Sequence, residues 1–327
     1  MSEHNLGRVL VTGASGFVGR ALVHELLQRG FAVTAAVRRP VPLPAEVRIV
    51  EVTDLAAAQN WDVALDEVRA VVQCAARVHV MRDRAHDPVA AFRGVNVDGS
   101  LALARAAANR GAQRFVFLSS IKAVGEWTEP GHPFRATDAP APVDPYGISK
   151  LEAERALATL AAVTGLELVV LRPPLVYGPG VRANFLAMAT LLARGVPLPL
   201  GGMTTNRRSF VALDNLLDLI VRCLLHPAAP GGTFHVSDGE DLSTTELLRR
   251  TAAAMGRPAR LLPIPAQWLA RGAQLVGRPD LWQRLGGTLQ VDIQDTLKRL
   301  GWHPPIGVDE GLRRAVRQLA RSERTAR

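Results

Sequence analysis

The chain has 327 residues, 48% of them hydrophobic and 21% charged, enough to bury a large core in two lobes or one large domain. Its net charge of +9 is densest at Arg313, Arg314, Arg317, Arg321, Arg324 and Arg327, where no aromatic side chain is interleaved to stack on bases. That stretch reads as a solvated helix with a frayed tail, so nucleic acid is not an expected partner. No uncharged apolar run approaches the length of a membrane span, so no membrane insertion is expected. The polar Met1 to Gly7 leads into a strand without a signal-peptide pattern. Cys74 and Cys223 lie in apolar runs with no motif spacing and read as core thiols, so a cytoplasmic protein is expected.

Arg8 to Thr12 reads as a short strand. It runs into Gly13-Ala14-Ser15-Gly16-Phe17-Val18-Gly19 and then a helix with Leu22, Val23, Leu26 and Leu27 inward, closed by Gly30. Phe31 to Val37 is a second strand. A glycine loop between strand and helix lets the backbone approach a pyrophosphate at the helix N-terminus, which makes Gly13, Ser15, Gly16, Phe17, Val18 and Gly19 candidate cofactor residues. A tight turn without a ligand is the plainer alternative.

The second strand ends in Arg38-Arg39, where an acidic residue would bind the adenosine ribose hydroxyl. Arg38 can accommodate a ribose phosphate instead, so NADP(H), or tolerance of both NADP(H) and NAD(H), is expected. Solvated arginines are the alternative. Arg48 to Val52 is a third strand, followed by Asp54 and Leu55, with Asp54 in reach of an adenine amino group. Ala70 to Cys74 is a fourth strand ending in Ala75 and Ala76, small residues that leave room for a cofactor. Asn96 is expected to open an Ala-rich helix to Gly111, and Arg114 to Leu118 is a fifth strand ending at Ser119-Ser120. This alternation predicts an α/β fold, a Rossmann-type doubly wound parallel sheet with ligands at the strand C-termini.

Asp144 can cap a helix whose first turn takes Pro145. On it Tyr146 and Lys150 stand four residues apart, with phenol and ammonium on one face. The chain has two tyrosines and three lysines, and random placement would give about 0.02 Tyr-x-x-x-Lys pairs. Chance is therefore a poor account of the pair. Arginine fills 36 of the 39 basic positions, so a lysine here suits a site needing a compact, tunable ammonium. That cation is expected to lower the Tyr146 pKa toward a value useful for proton transfer. Ser120, at a strand C-terminus, is the candidate third member of a Ser120, Tyr146, Lys150 catalytic set.

These motifs resemble the extended short-chain dehydrogenase/reductases of the NAD-dependent epimerase/dehydratase family. The resemblance covers nearly the whole chain, through Thr12 to Gly19, Asp54, Ser120, Tyr146, Lys150 and Leu171-Arg172-Pro173-Pro174-Leu175-Val176-Tyr177-Gly178-Pro179-Gly180. It implies that Pro173 abuts the nicotinamide and that Asn184 and Arg208 approach the diphosphate of a nucleotide sugar. It also implies a homodimer. Family dehydratases carry Asp-Glu after the catalytic hydroxyl residue, and here Ile121-Lys122 stands there, so dehydration lacks its acid and base. UDP-galactose 4-epimerases usually carry Asn where Leu175 stands. Ser119-Ser120-Ile121-Lys122, Ala76-Arg77-Val78-His79-Val80-Met81 and Asn206-Arg207-Arg208-Ser209 most resemble a bacterial UDP-glucose 4-epimerase-like subgroup that includes the UDP-N-acetyl-quinovosamine 4-ketoreductase.

The resemblance thus implies an NAD(P)-dependent enzyme acting at C4 of a UDP-sugar. The preferred reading is a UDP-4-keto-(6-deoxy)-N-acetylhexosamine 4-reductase of bacterial surface polysaccharide precursor synthesis. A 4-epimerase, a reductase of a non-sugar ketone and a dinucleotide-sensing regulator are the alternatives. Lys122 is a candidate substrate contact, with a strand-end surface lysine as the plainer reading, and Tyr177 reads as packing.

In the second half, Asn184 to Arg194 is an amphipathic helix closed by Gly195. Arg208 to Leu213 is a short strand before a helix from Asp214, and Arg207 with Arg208 could offer a fork to a diphosphate. Phe234 to Ser237 is a strand on which His235 reads as core. Ser243 caps the helix bearing Glu246. Trp268 to Val276 is an amphipathic helix that covers the lobe or docks on a membrane enzyme. No His, Cys or carboxylate spacing suggests a metal. The expected division is a dinucleotide-binding domain over 1–180 and a substrate lobe over 181–327 that returns some segments to the first.

Overall fold

The computed structural model describes residues 7–56, 60–78, 87–181, 183–275, 277 and 279–325. Val9 to Val11 is continuously apolar because its strand, β1 (Arg8–Thr12), is covered on both faces. Val9 and Val11 enter one core layer with Leu22, Val23 and Leu26 of α1 (Phe17–Gln28), while Leu10 enters the opposite layer. β2 (Ala32–Val37) and β3 (Arg48–Glu51) extend the sheet on one side, with Thr12 opposite Ala36. After α2 (Asp62–Leu65), β4 (Val68–Gln73) lies on the other side of β1, with Thr12 opposite Gln73. The winding direction thus reverses beside β1, which opens a crevice above its C-terminus.

The next helix starts earlier than expected. Asp87 caps α3 (Pro88–Arg93) by accepting the Ala90 N–H, and the chain runs through a π turn, Gly94–Asp98, into α4 (Gly99–Asn109). Asn96 therefore opens no helix; it is buried inside the π turn, a feature often found at functional sites. β5 (Arg114–Leu118) and β6 (Glu167–Arg172) continue the parallel sheet, separated by a 3-10 turn, Ile121–Ala123, and by α5 (Pro145–Thr164).

β7 (Leu175–Tyr177) leaves this sheet. Beyond α6 (Ala183–Ala193) it pairs with β8 (Arg208–Ala212). α7 (Leu213–Leu225) then packs back beside α1 through Leu216, Leu217 and Ile220, and β9 (Thr233–His235) becomes the seventh strand. The Rossmann-type sheet has the order β3-β2-β1-β4-β5-β6-β9, all parallel. β10 (Asp241–Leu242) joins β8 in the small sheet, and Ser243 and Glu246 close a capping box on α8 (Thr244–Ala254). α9 (Ala266–Leu275), α10 (Pro279–Gly286), α11 (Gln294–Leu300) and α12 (Val308–Thr325) complete the chain. A cut at residue 180 thus crosses both layers of organisation: β7 before it serves the lobe, while α7 and β9 after it serve the main sheet.

The lobe core gathers Tyr177, Phe185, Phe210, Leu247, Leu312 and Val316. Tyr177 packs there, with its hydroxyl donating to Asp238 at 2.7 Å. His235 is buried beside Phe134, and burial pushes its pKa down to about 4. On α12, Arg313 and Arg314 pair with Glu310, so this part of the basic stretch is an ion-paired helix face. Side chains from 318 onward lie outside the described residues.

Candidate active site

A cavity of about 640 Å³ opens above the C-termini of β1, β4 and β5. Its wall includes every residue that the sequence offered for a dinucleotide, from Gly13, Ser15, Gly16, Phe17, Val18 and Gly19 to Arg38, Asp54, Leu55, Ala75, Ala76 and Pro173. The glycine loop fits a group that must lie close to backbone. A Cβ at Gly19 would stand 2.3 Å from the Gly13 carbonyl oxygen, so only glycine lets the first turn of α1 fold onto the loop. The Gly16 N-cap has no side-chain partner, which leaves the helix N-terminal amides to an anion. At the far end Arg38 and Asp54 stand 3.7 Å apart, both exposed. An ion pair so open to water is weak, and it leaves Arg38 able to turn to a phosphate.

The reacting groups meet at the other end. Ser120 caps the 3-10 turn by accepting the Lys122 N–H, and Asp144 caps α5 by accepting the Gly147 N–H at 2.6 Å. These two local caps set Ser120 and Tyr146 together on the cavity wall, where the Ser120 hydroxyl acts on the Tyr146 phenol. Tyr146 is partly exposed as a residue, but its hydroxyl is desolvated. Burial pushes its pKa up to about 12, against the pull of the Ser120 hydroxyl.

Lys150 is only 2% exposed. Its Nζ donates to the Leu118 carbonyl at 2.8 Å and lies 4.5 Å from the Phe117 ring centroid and 6.0 Å from that of Tyr146. Burial pushes its pKa down to about 8, against the pull of Glu154. The expected lowering of the Tyr146 pKa by Lys150 is therefore not what this arrangement produces. Desolvation acts on both groups, and the ammonium is directed to a carbonyl and an aromatic face rather than to the phenol oxygen.

Below Lys150 lies a layer the sequence reading missed. Glu154, one helical turn on, accepts from Ser119 Oγ through Oε1, and the Arg172 guanidinium grips both carboxylate oxygens at 3.0 and 2.6 Å. Glu154 and Arg172 are both nearly closed to solvent. Asn96 is the other omission. Its Nδ2 donates to Ser149 Oγ and to the Arg77 carbonyl, and its Oδ1 accepts the Arg77 N–H, tying the π turn to α5 behind Tyr146. The four-residue spacing from Lys150 could have shown Glu154; nothing local marks Asn96. Cys74, expected in the core, lines the cavity near Lys150, and burial pushes its thiol up to about 12.

Of the offered substrate residues, Lys122 and Arg208 do not line this cavity. Lys122 is held by two carboxylates, Glu126 at 2.9 Å and Asp144 at 2.6 Å. Burial and Asp144 raise the Glu126 pKa. For Asp144 burial works upward too, yet hydrogen bonds from Lys122 and the Gly147 amide bring it below its ordinary value. Gly147 lies so close to the 3-10 turn that a Cβ would come 2.4 Å from the Lys122 carbonyl oxygen. Lys122 is thus a partly exposed lysine that does not line the cavity; it fastens the Ser120 turn to the Tyr146 helix.

Arg207 and Arg208 diverge instead of forming one fork. Arg207 turns to Glu246 at 3.3 Å. Arg208 is desolvated, which lowers its pKa against the pull of Glu126, and it donates to the Gly287 carbonyl at 3.3 Å. Asn184 stands on α6, but its side chain, like His79, Val80 and Met81, lies outside the described residues.

The chain belongs to the NAD dependent epimerase/dehydratase family, whose sequence profile matches residues 9–237. It is 44% identical over 309 residues to a Vibrio cholerae protein named UDP-glucose 4-epimerase, covering 94% of each chain. It is 28% identical over 319 residues to a GDP-6-deoxy-D-mannose reductase of Pseudomonas aeruginosa, covering 94% of this chain and 95% of that one. Among solved structures, MoeE5 in complex with UDP-glucuronic acid and NAD superposes with a TM-score of 0.75 at 28% identity, covering 97% of this chain and all of the other.

Proposed function

We propose that this member of the NAD dependent epimerase/dehydratase family is an NAD(P)-dependent enzyme acting at C4 of a UDP-hexose, working as a 4-epimerase. The observation that carries the reading is the Ser120–Tyr146 hydroxyl pair, set above a buried Lys150 at one end of a cavity whose other end is a glycine cradle. The 44% identity to a protein named UDP-glucose 4-epimerase supports this choice of substrate class.

Gly13 to Gly19, Ala75 and Ala76 would hold NAD(H) or NADP(H), which when bound accepts or gives the C4 hydride. The remaining chemistry belongs to the chain. Ser120 holds the C4 oxygen in line with the Tyr146 hydroxyl, and Tyr146 moves the proton. With its pKa near 12 Tyr146 is a phenol at neutral pH, the state that donates to a ketone oxygen. In an epimerase the same hydroxyl pair must take the proton of the C4 hydroxyl once and return it to the C4 oxygen once, whichever face the sugar presents. Lys150, an ammonium at neutral pH, supplies the local positive charge that favours the phenolate when Tyr146 has lost its proton.

The second reading is the 4-ketoreductase of a UDP-4-keto-6-deoxy-N-acetylhexosamine. It is favoured by Arg38 at the adenosine end, which suits the ribose phosphate of a consumed NADPH. One experiment separates the two. Purified protein is offered UDP-glucose and UDP-N-acetylglucosamine, and in parallel UDP-4-keto-6-deoxy-N-acetylglucosamine with NADPH or NADH. Interconversion with the galacto isomers, without net cofactor oxidation, supports the epimerase. Stoichiometric oxidation with the keto sugar replaces it by the reductase, and the absence of both reactions overturns the sugar-nucleotide assignment.

A further inference from the structure

We propose that the face carrying α9 is a docking surface for an anionic lipid bilayer. On this helix Trp268, Arg271, Gly272 and Leu275 recur at helical spacing on one stripe and are exposed, Trp268 by 69% and Leu275 by 88%. Ala266, Leu269, Ala270 and Ala273 form the half-buried opposite side. Leu262, on the segment leading in, is exposed as well. A tryptophan and leucines standing in water at this density need a reason.

The charge around the stripe says what covers it. Residues 247–279 contain six arginines and no aspartate or glutamate. Arg250 is occupied by Glu240 and Asp309, and Arg257 donates to the Ala193 carbonyl. Arg249, Arg260 and Arg271 are exposed and make no ion pair among the described residues. An apolar stripe on a segment that exposes Arg260 and Arg271 and carries no carboxylate of its own from 247 to 279 matches the headgroup boundary of an anionic membrane, with Trp268 and Leu275 entering below the phosphates. A second copy of the chain fits worse, because a two-fold contact through this face would set arginines against arginines. Among the described residues no helix is long and apolar enough to cross a membrane, so the contact would be peripheral. A UDP-sugar enzyme held there would release its product beside membrane-bound enzymes that consume it.

The test is co-sedimentation of the full chain with vesicles of mixed phosphatidylglycerol and phosphatidylcholine, and with phosphatidylcholine alone. The expected result is binding to the anionic vesicles about tenfold tighter or more, lost in about 1 M salt, where the Debye length is about 3 Å. Trp268→Ser with Leu275→Ser, and separately Arg260→Glu with Arg271→Glu, should each weaken it about tenfold. Both should leave the melting temperature and turnover in solution unchanged. Equal binding to both vesicles, or binding to neither, overturns the proposal. So does a shift in oligomeric state on the Trp268→Ser, Leu275→Ser change without any vesicle binding.

Discussion

Replacing Lys122 by Met removes the ammonium that joins the Ser120 turn to the N-cap of the Tyr146 helix while keeping most of the apolar stem. The parent side chain makes two charge-assisted hydrogen bonds, 2.9 Å to Glu126 and 2.6 Å to Asp144. Buried bonds of this kind contribute about 1.5–3 kcal/mol each. The Lys122 side chain is 35% exposed, so screening leaves roughly 1–3 kcal/mol for the pair. In a chain of this size that is a melting temperature lower by about 2–6 °C. The effect on turnover should be larger in proportion. Ser120 and Tyr146 come from different elements, and an error of about 1 Å between reacting groups costs on the order of a hundredfold. We expect kcat for sugar turnover to fall about 10- to 100-fold with KM for the UDP-sugar nearly unchanged, and Lys122→Arg to recover part of both losses. Steady-state kinetics beside thermal unfolding reads all of this. A variant with kcat within about twofold of the parent would refute the reasoning. A raised KM with kcat intact would instead make Lys122 a substrate contact.

Two further outcomes test the layers below it. Lys150 has its folded pKa lowered from 10.5 to about 8, so its share of stability is fully present above pH 10.5 and is lost as pH falls through 8. The unfolding free energy of the parent minus that of Lys150→Met should therefore grow by roughly 3 kcal/mol between pH 8 and 10.5, and a flat difference would mean that the ammonium is not desolvated. Tyr146, raised to about 12, has the opposite trend between pH 10 and 12, but it is common to both proteins and cancels. Glu154→Leu leaves Arg172 buried without its carboxylate and should cost about 3–5 kcal/mol in chemical unfolding. Glu154→Leu combined with Arg172→Met should regain most of that loss, and a double variant as unstable as the single one would show that the pair itself, not the orphaned guanidinium, carries the energy.

The first half of the fold was legible because its signals are local. A continuous apolar strand, a glycine loop and an amphipathic helix follow one another from Arg8 to Gln28, and each is set by its own sequence. The reacting set was legible for a different reason: tyrosine and lysine are so scarce here that their pairing at Tyr146 and Lys150 is informative. The rest depends on distant partners. β10 has two residues and exists because Asp241 and Leu242 pair with β8. β9 joins the main sheet only because α7 carries the chain back beside α1. The π turn at Asn96 has no composition of its own, since its wider turn serves the contacts with Arg77 and Ser149. The divergence of Arg207 from Arg208 needed Glu246, which is placed by the capping box of α8.

Burial was the quantity most hidden in the sequence, and it changes the electrostatic reading of the site. Along α5 and behind it the charges alternate in depth: the Lys150 ammonium, the Glu154 carboxylate one turn below, and the Arg172 guanidinium against that carboxylate. Arg172 holds both oxygens of that carboxylate. The Glu154 carboxylate that it grips is the largest influence opposing the desolvation of Lys150. Without that carboxylate, burial would drive the lysine pKa further down, toward the neutral amine. A neutral amine could still donate to the Leu118 carbonyl, but it would offer no charge to a phenolate at Tyr146. The buried ion pair is thus better understood through the protonation state of Lys150 than through the stability it adds.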